Sequence, residues 1–168
     1  MKVFGSDLLF AKVRHNAIIP TKRIEDAAYD FYACTDEDIV IEPHETKLIP
    51  TGIACAINDD YFLYLVERGS TGSKGMKKSA GVVDSGFRNE IFAAIYNGND
   101  YRIIITDKVD KTSLVEGQNK MLLYPKSKAI CQGLILPVPK MNVKEVSYEE
   151  LQKYTSERGT SMLGASGK

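Results

Sequence analysis

Short β-branched and aromatic runs, cut at close intervals by turn formers, constrain this chain more than any other feature. Residues 39–41, 47–49 and 53–57 are apolar or alternate, and Pro43, Pro50-Thr51-Gly52 and Asn58-Asp59-Asp60 punctuate them. The run 61–67, Tyr-Phe-Leu-Tyr-Leu-Val-Glu, predicts a strong strand, and 91–96 predicts another, closed by Asn97-Gly98-Asn99-Asp100. Stretches 2–14, 101–106 and 128–138 have the same character. Many short strands at roughly 8–12-residue spacing argue for an all-β sandwich or barrel. Only two segments read as helical. One is a short helix within 70–78. The other is 147–154, where Ser147 as N-cap and Glu150 three residues on make a capping-box pattern. Residues 107–127 are polar and turn-rich and read as a long loop or an extra hairpin. The tail from Thr155 carries Gly, Ser and Thr with little to bury, and is expected to be a mobile arm.

Composition narrows the class. A chain of 168 residues is one domain by length, and it can bury a core without metal or disulfide staples. Acidic and basic residues balance at 22 each, so bulk charge points to neither nucleic acid nor membrane. Cys34, Cys55 and Cys131 are odd in number, well separated and form no CxxC, as core thiols of a reducing compartment would. His15 and His44 are too isolated for a metal site built on imidazoles. The start, Met-Lys-Val-Phe-Gly-Ser-Asp, lacks the apolar stretch of a secretion signal, and no run is long enough to span a bilayer. A cytoplasmic location is expected. The end, Gly164-Ala165-Ser166-Gly167-Lys168, suggests a phosphate-binding P-loop, but Met162 stands where that motif needs its first glycine.

Chemistry concentrates in five segments. The most informative is Gly81-Val82-Val83-Asp84-Ser85-Gly86-Phe87-Arg88-Asn89-Glu90-Ile91, which sets one carboxylate in an apolar run. Asp is a poor strand residue and is rarely buried alone. It either starts the Ser85-Gly86 turn or, held in a hairpin with an aromatic three residues on, activates a water beside a stacked ring. The others are Ala27-Ala28-Tyr29-Asp30-Phe31-Tyr32-Ala33, with a lone Asp, and Glu67-Arg68-Gly69-Ser70-Thr71-Gly72, with an Arg running into hydroxyls and glycines. Lys128-Ala129-Ile130-Cys131-Gln132-Gly133 sets a Gln in an apolar strand, and the Arg158–Gly167 tail is rich in Gly and Ser. Taken singly, each reads better as a surface base, a turn cap, a strand edge or a linker.

In their order the five segments closely resemble the motifs of the trimeric dUTP pyrophosphatases, the dUTPases, over about residues 25–168. Tyr29-Asp30-Phe31-Tyr32 fits the first motif, Arg68-Gly69-Ser70 the second, Gly81 to Asn89 the third, Ile130-Cys131-Gln132 the fourth and Arg158 to Gly167, loosely, the fifth. Phe87 replaces a Tyr that packs on deoxyribose, Leu163 replaces a Phe that covers uracil, and Asn89 replaces a Gly. Lys78 stands where bacterial members often carry an Asn near the base.

The resemblance implies an all-β distorted jelly roll over 1–154, with 107–127 as a family-variable insertion and 155–168 as a flexible arm. It implies a homotrimer with shared sites and Mg²⁺-dependent hydrolysis of dUTP to dUMP and pyrophosphate. Asp84 would activate the water, and Asp30 would hold Mg²⁺ through water. Arg68, Gly69, Ser70, Gln132, Arg158 and Ser166 would bind phosphates. Gly81, Val82, Val83, Lys78, Phe87 and Leu163 would surround the nucleoside, the backbone at 79–83 matching uracil's edge. The dCTP deaminases share this fold, but they need a Glu where this chain has Ala94. A nucleotide-sensing or protein-binding module that keeps the fold without the turnover is the remaining alternative, and 107–127 is where an additional regulatory partner would bind.

Overall fold

The computed structural model describes Gly5, residues 7–159 and Ser161. Its strands are β1 (Leu8–Lys12), β2 (Tyr29–Phe31), β3 (Ile39–Ile41), β4 (Thr46–Pro50), β5 (Ile53–Ile57) and β6 (Tyr61–Val66). A single helical turn, α1 (Gly69–Gly72), follows β6, and then β7 (Met76–Lys78), β8 (Val82–Val83), β9 (Phe92–Asn97) and β10 (Arg102–Thr106). The described elements end with β11 (Ser113–Val115), β12 (Met121–Pro125), β13 (Cys131–Pro137) and α2 (Tyr148–Leu151). The all-β expectation holds. Ser147 caps α2 as its sequence predicts, its hydroxyl accepting from the Glu150 N–H at 3.1 Å.

Period-two alternation builds the core. On β3 and β10, Ile39, Ile41, Ile103 and Ile105 are buried, and Val40 and Ile104 lie on the opposite face. The buried faces of the sheets converge on one cluster that also takes Phe31, Leu63, Leu65, Ile95 and Tyr124. All three cysteines are buried free thiols, and burial pushes Cys131 up to about 12, far from any thiolate chemistry.

Two details depart from a simple reading of the turns. Asn97, in the Asn-Gly-Asn-Asp turn, is fully buried, and its amide donates to the carbonyls of Ile41 and Tyr101 at 3.1 and 2.8 Å. It ties two loop ends together, so its role is in the interior rather than in the turn. Within 107–127, β11 and β12 do form a hairpin. However, β12 also pairs in parallel with β10 and buries Leu122 and Tyr124. The second strand of this stretch therefore contributes to the core.

The sheet β2-β13-β6-β8 positions the chemistry. Asp30 pairs with Gln132, and Gln132 pairs with Val66, in one rung across three strands. In the neighbouring rungs Phe31, Cys131 and Leu65 turn into the core, so Asp30 and Gln132 face away from it. Gly133 is required by that packing: a Cβ there would meet Leu63 Cδ1 at 2.6 Å and Phe31 Cε2 at 2.9 Å.

Candidate active site

Arg68 leaves the end of β6 in extended conformation, φ −84° and ψ 152°, as the N-cap of α1. Thr71 locks it there. The Thr71 hydroxyl accepts from the Arg68 N–H at 3.0 Å and donates to its carbonyl at 3.1 Å. The guanidinium then reaches Asp30, with Nε to Oδ1 at 2.9 Å and Nη2 to Oδ2 at 3.2 Å, a two-pronged pair. Its other arm lies 3.4 Å from both Ser70 Oγ and the Ala129 carbonyl. Gln132 donates to the Glu67 carbonyl at 3.0 Å. Asp30, Arg68, Gly69, Ser70 and Gln132 thus come together, lining one pocket of about 450 Å³ with Arg23, Glu25 and Asp26. On its other side the Asp30–Arg68 pair borders a second pocket of about 360 Å³, lined also by Lys74, Thr112, Tyr124, Ser127 and Lys128.

The Asp84 segment forms a different place. Val82 and Val83 pair with Tyr64 and Leu63 as β8, and the Phe87 N–H closes the turn on the Asp84 carbonyl at 3.0 Å. The Gly81 carbonyl accepts from the Leu65 N–H at 2.8 Å. A Cβ there would fall 2.3 Å from the Leu65 oxygen, so only glycine permits this approach. A cavity of about 270 Å³ opens against the hairpin, walled by Leu48, Leu65, Gly81, Val82, Val83, Phe87, Phe92 and Ala94. Asp84 lies at its border, exposed, and no described residue hydrogen-bonds its carboxylate. Glu90 closes the far wall. It accepts from Arg14 Nε and from the Gly52 N–H, both at 2.8 Å. Burial opposes ionisation of Glu90, but these donors outweigh it and hold its pKa below the ordinary carboxylate value.

The predicted residues therefore fall into two groups, and Lys78 and Arg158 stand apart from both. Lys78 ends β7 outside the cavity lining, and its ammonium donates to the Ala80 carbonyl, which is part of that lining. Burial lowers its pKa. Arg158 belongs to neither pocket lining nor to the cavity. Leu163 and Ser166 lie outside the described residues. The sequence reading missed Arg23 and Asp26, which pair at 2.9 Å on the pocket rim, and it missed Glu90. Glu90 directly follows the third motif, Gly81 to Asn89, and an acid there beside a turn was the available signal. Among the described residues no group of three His, Cys, Asp or Glu is arranged to hold a metal, and no helix is long and apolar enough to cross a membrane.

The dUTPase family model matches residues 14–110. The deoxyuridine 5'-triphosphate nucleotidohydrolase of Nautilia profundicola is 30% identical over 165 residues, covering 96% of this chain and 99% of the relative. That of Nitrosospira multiformis is 32% identical over 146 residues, covering 84% and 83%. The dUTPase of Staphylococcus bacteriophage 80alpha superposes with a TM-score of 0.72 at 24% identity, covering 96% of this chain and 99% of that one. This last likeness carries the fold, a distorted jelly roll.

Proposed function

The chain belongs to the dUTPase family, and from that premise we propose how its residues hydrolyse dUTP to dUMP and pyrophosphate. The observation that carries the reading is a division of labour in the surface. One apolar cavity of nucleoside scale has a carboxylate at its border, and a separate polar pocket is built on an Arg–Asp pair.

In this reading the base enters the cavity along Gly81–Val83. Backbone groups there match uracil's edge, whereas cytosine leaves buried partners unpaired, which a polar site rejects strongly. Phe87 packs on the sugar and leaves no room for a 2′-hydroxyl. Asp84 accepts a proton from a water as its oxygen bonds to the α-phosphorus. The α-phosphorus–oxygen bond to the β-phosphate breaks, and its electron pair leaves with pyrophosphate. Arg68, Ser70 and Gln132 hold phosphate oxygens. Positioning and charge neutralisation supply most of the barrier reduction. The arm, through Arg158, Leu163 and Ser166, closes over the nucleotide.

Mg²⁺ fits this site as a guest of the substrate. The Asp30 carboxylate already engages Arg68 with both oxygens, so it suits a contact through water, with the remaining ligands coming from phosphates and water. Bound there, the ion would offset phosphate charge.

A composite, trimeric site is part of the proposal. Extending the β6–β8 register sets Asp84 level with Phe62, six residues along the strand from Arg68. That is roughly 20 Å at strand rise. Side chains standing off a sheet do not converge on one phosphorus across such a gap. A second copy supplying the other half removes the problem. Leu48, Val82, Phe87 and Phe92 around the cavity are exposed apolar groups that such a copy would cover.

The deaminase alternative loses support at Ala94, whose methyl lines the cavity where a general acid–base would be needed. The test is pyrophosphate release by purified protein against dUTP, dCTP, dTTP and UTP. Release from dUTP alone is expected. Silence with dUTP, or ammonia release from dCTP, would overturn the reading.

A further inference from the structure

Strand β7 turns a lysine inward. It alternates, with Met76 buried, Lys77 exposed and Lys78 half-buried on the side of Met76. An ammonium withdrawn from water needs a partner, and Lys78 finds one in the Ala80 carbonyl. Glu67 and the Cys131 thiol are the other ionisable groups that act on it. Lys78 lies outside the cavity lining, to which Ala80 and Gly81 belong. The β6–β8 ladder breaks at the same peptide. The Leu65 N–H donates to the Gly81 carbonyl, but the return bond from the Gly81 N–H to the Leu65 carbonyl, which would complete an antiparallel pair, is not made. The α-carbon of Gly81 faces that carbonyl instead, since an added Cβ would fall 2.3 Å from it. Among the described residues nothing accepts from the Gly81 N–H.

We propose that Lys78 is a positioning residue that sets the base preference of the cavity from behind the hairpin. The proposal rests on the hydrolytic reading above and extends it to a side chain that never touches the base. A trans peptide is planar, and its C=O and N–H point in opposite directions. With the Ala80 carbonyl held on the Lys78 side, the Gly81 N–H of the same peptide is turned to the cavity side as a fixed donor. The 4-oxygen of uracil accepts from such a donor. The 4-amino group of cytosine donates, so the two N–H groups face each other unpaired. Without the ammonium the Ala80–Gly81 peptide is free to flip, because glycine places little restriction on the backbone. The flipped peptide offers a carbonyl, which accepts from the cytosine amine and repels the uracil oxygen. The charge of Lys78 keeps the peptide in one of these two states.

The experiment compares the inhibition constants of dUMP and dCMP against dUTP hydrolysis, at fixed Mg²⁺, in wild type and Lys78→Met. The dUMP constant should rise roughly tenfold, as for loss of one hydrogen bond. The dCMP constant should hold or fall, so the preference for uracil narrows by at least that factor. Lys78→Arg keeps a donor for the carbonyl and should hold the wild-type preference. Lys77→Met, on the exposed face of the same strand, should change neither constant. A second measurement needs no variant. The sulfur of 4-thio-dUMP accepts weakly, so this nucleotide should bind wild type less tightly than dUMP, and its loss should not add to that of Lys78→Met. An unchanged preference in Lys78→Met would overturn the proposal, as would equal weakening of dUMP and dCMP, or equal binding of dUMP and 4-thio-dUMP by wild type. A wild type that does not hydrolyse dUTP would instead sink the parent reading. Direct titration with dUMP and dCMP would then still report whether Lys78 sets the base preference.

Discussion

The Asp30–Arg68–Gln132 rung and the Asp84 hairpin solve opposite problems. The rung lies across three paired strands, and Arg68, just beyond it, already joins its Asp30, the two being 29% and 30% exposed. Its geometry exists before any ligand arrives. The hairpin is two short residues of strand and a turn, with its carboxylate exposed and unengaged. A phosphate-binding group gains from preorganisation, because each oxygen must find a fixed donor. A general base gains from being unpaired, because a hydrogen-bond partner would compete with the water it must activate. The comparison teaches that structural and chemical cost are separable here. Changes in the rung should affect both stability and binding, and a change at Asp84 should affect turnover alone.

Asp84→Asn tests the hairpin half most severely. Turnover of dUTP should fall at least about a hundredfold, as for loss of a general base. Nucleotide affinity and the melting temperature should stay near wild type. A destabilised variant would show that Asp84 holds the turn and would collapse the contrast.

Arg68→Met tests the rung. KM for dUTP should rise about tenfold with loss of a charged hydrogen-bond donor. The fold should also lose about 1 kcal/mol, since the pair is partly exposed and screened. Denaturant unfolding beside steady-state kinetics reads both. Unaltered stability with weakened binding would show that the rung, too, is purely chemical.

The smallest expected effect sharpens the border between the two regions. Glu90 anchors the hairpin to Arg14 and Gly52, and its folded pKa lies below the ordinary 4.5. Between those two values the unfolded chain binds the extra proton, so stability rises with pH there. The contribution is complete above about 4.5 and fades as pH falls through the folded value. Glu90→Gln should flatten that acid limb in unfolding curves while leaving neutral-pH turnover close to wild type, since Asp84 itself is unchanged. An unchanged acid limb would show that the hairpin is not held by this clamp.

Much of this was legible along the chain. The short β-branched runs at 39–41 and 103–105 announced strands because such side chains fit a pleated, buried surface. The cap at Ser147 was legible because capping is local chemistry between residues three apart. The five polar segments were legible in their order. Asn97 was not, because a turn-forming residue and a buried cross-link look alike until the loops it joins are brought together. Glu90 was hidden for the same reason, its partners lying 76 and 38 positions away. By itself the sequence determined the β architecture, through its short apolar runs and turn formers, and the family, through the order of its five polar segments. Only the tertiary structure decided that Asp30 meets Arg68, that Asp84 lies a strand's length from both, and that Lys74 and Lys128 share a pocket. Those facts depend on which strands pair and in what register, which is set by the burial of all the apolar faces at once.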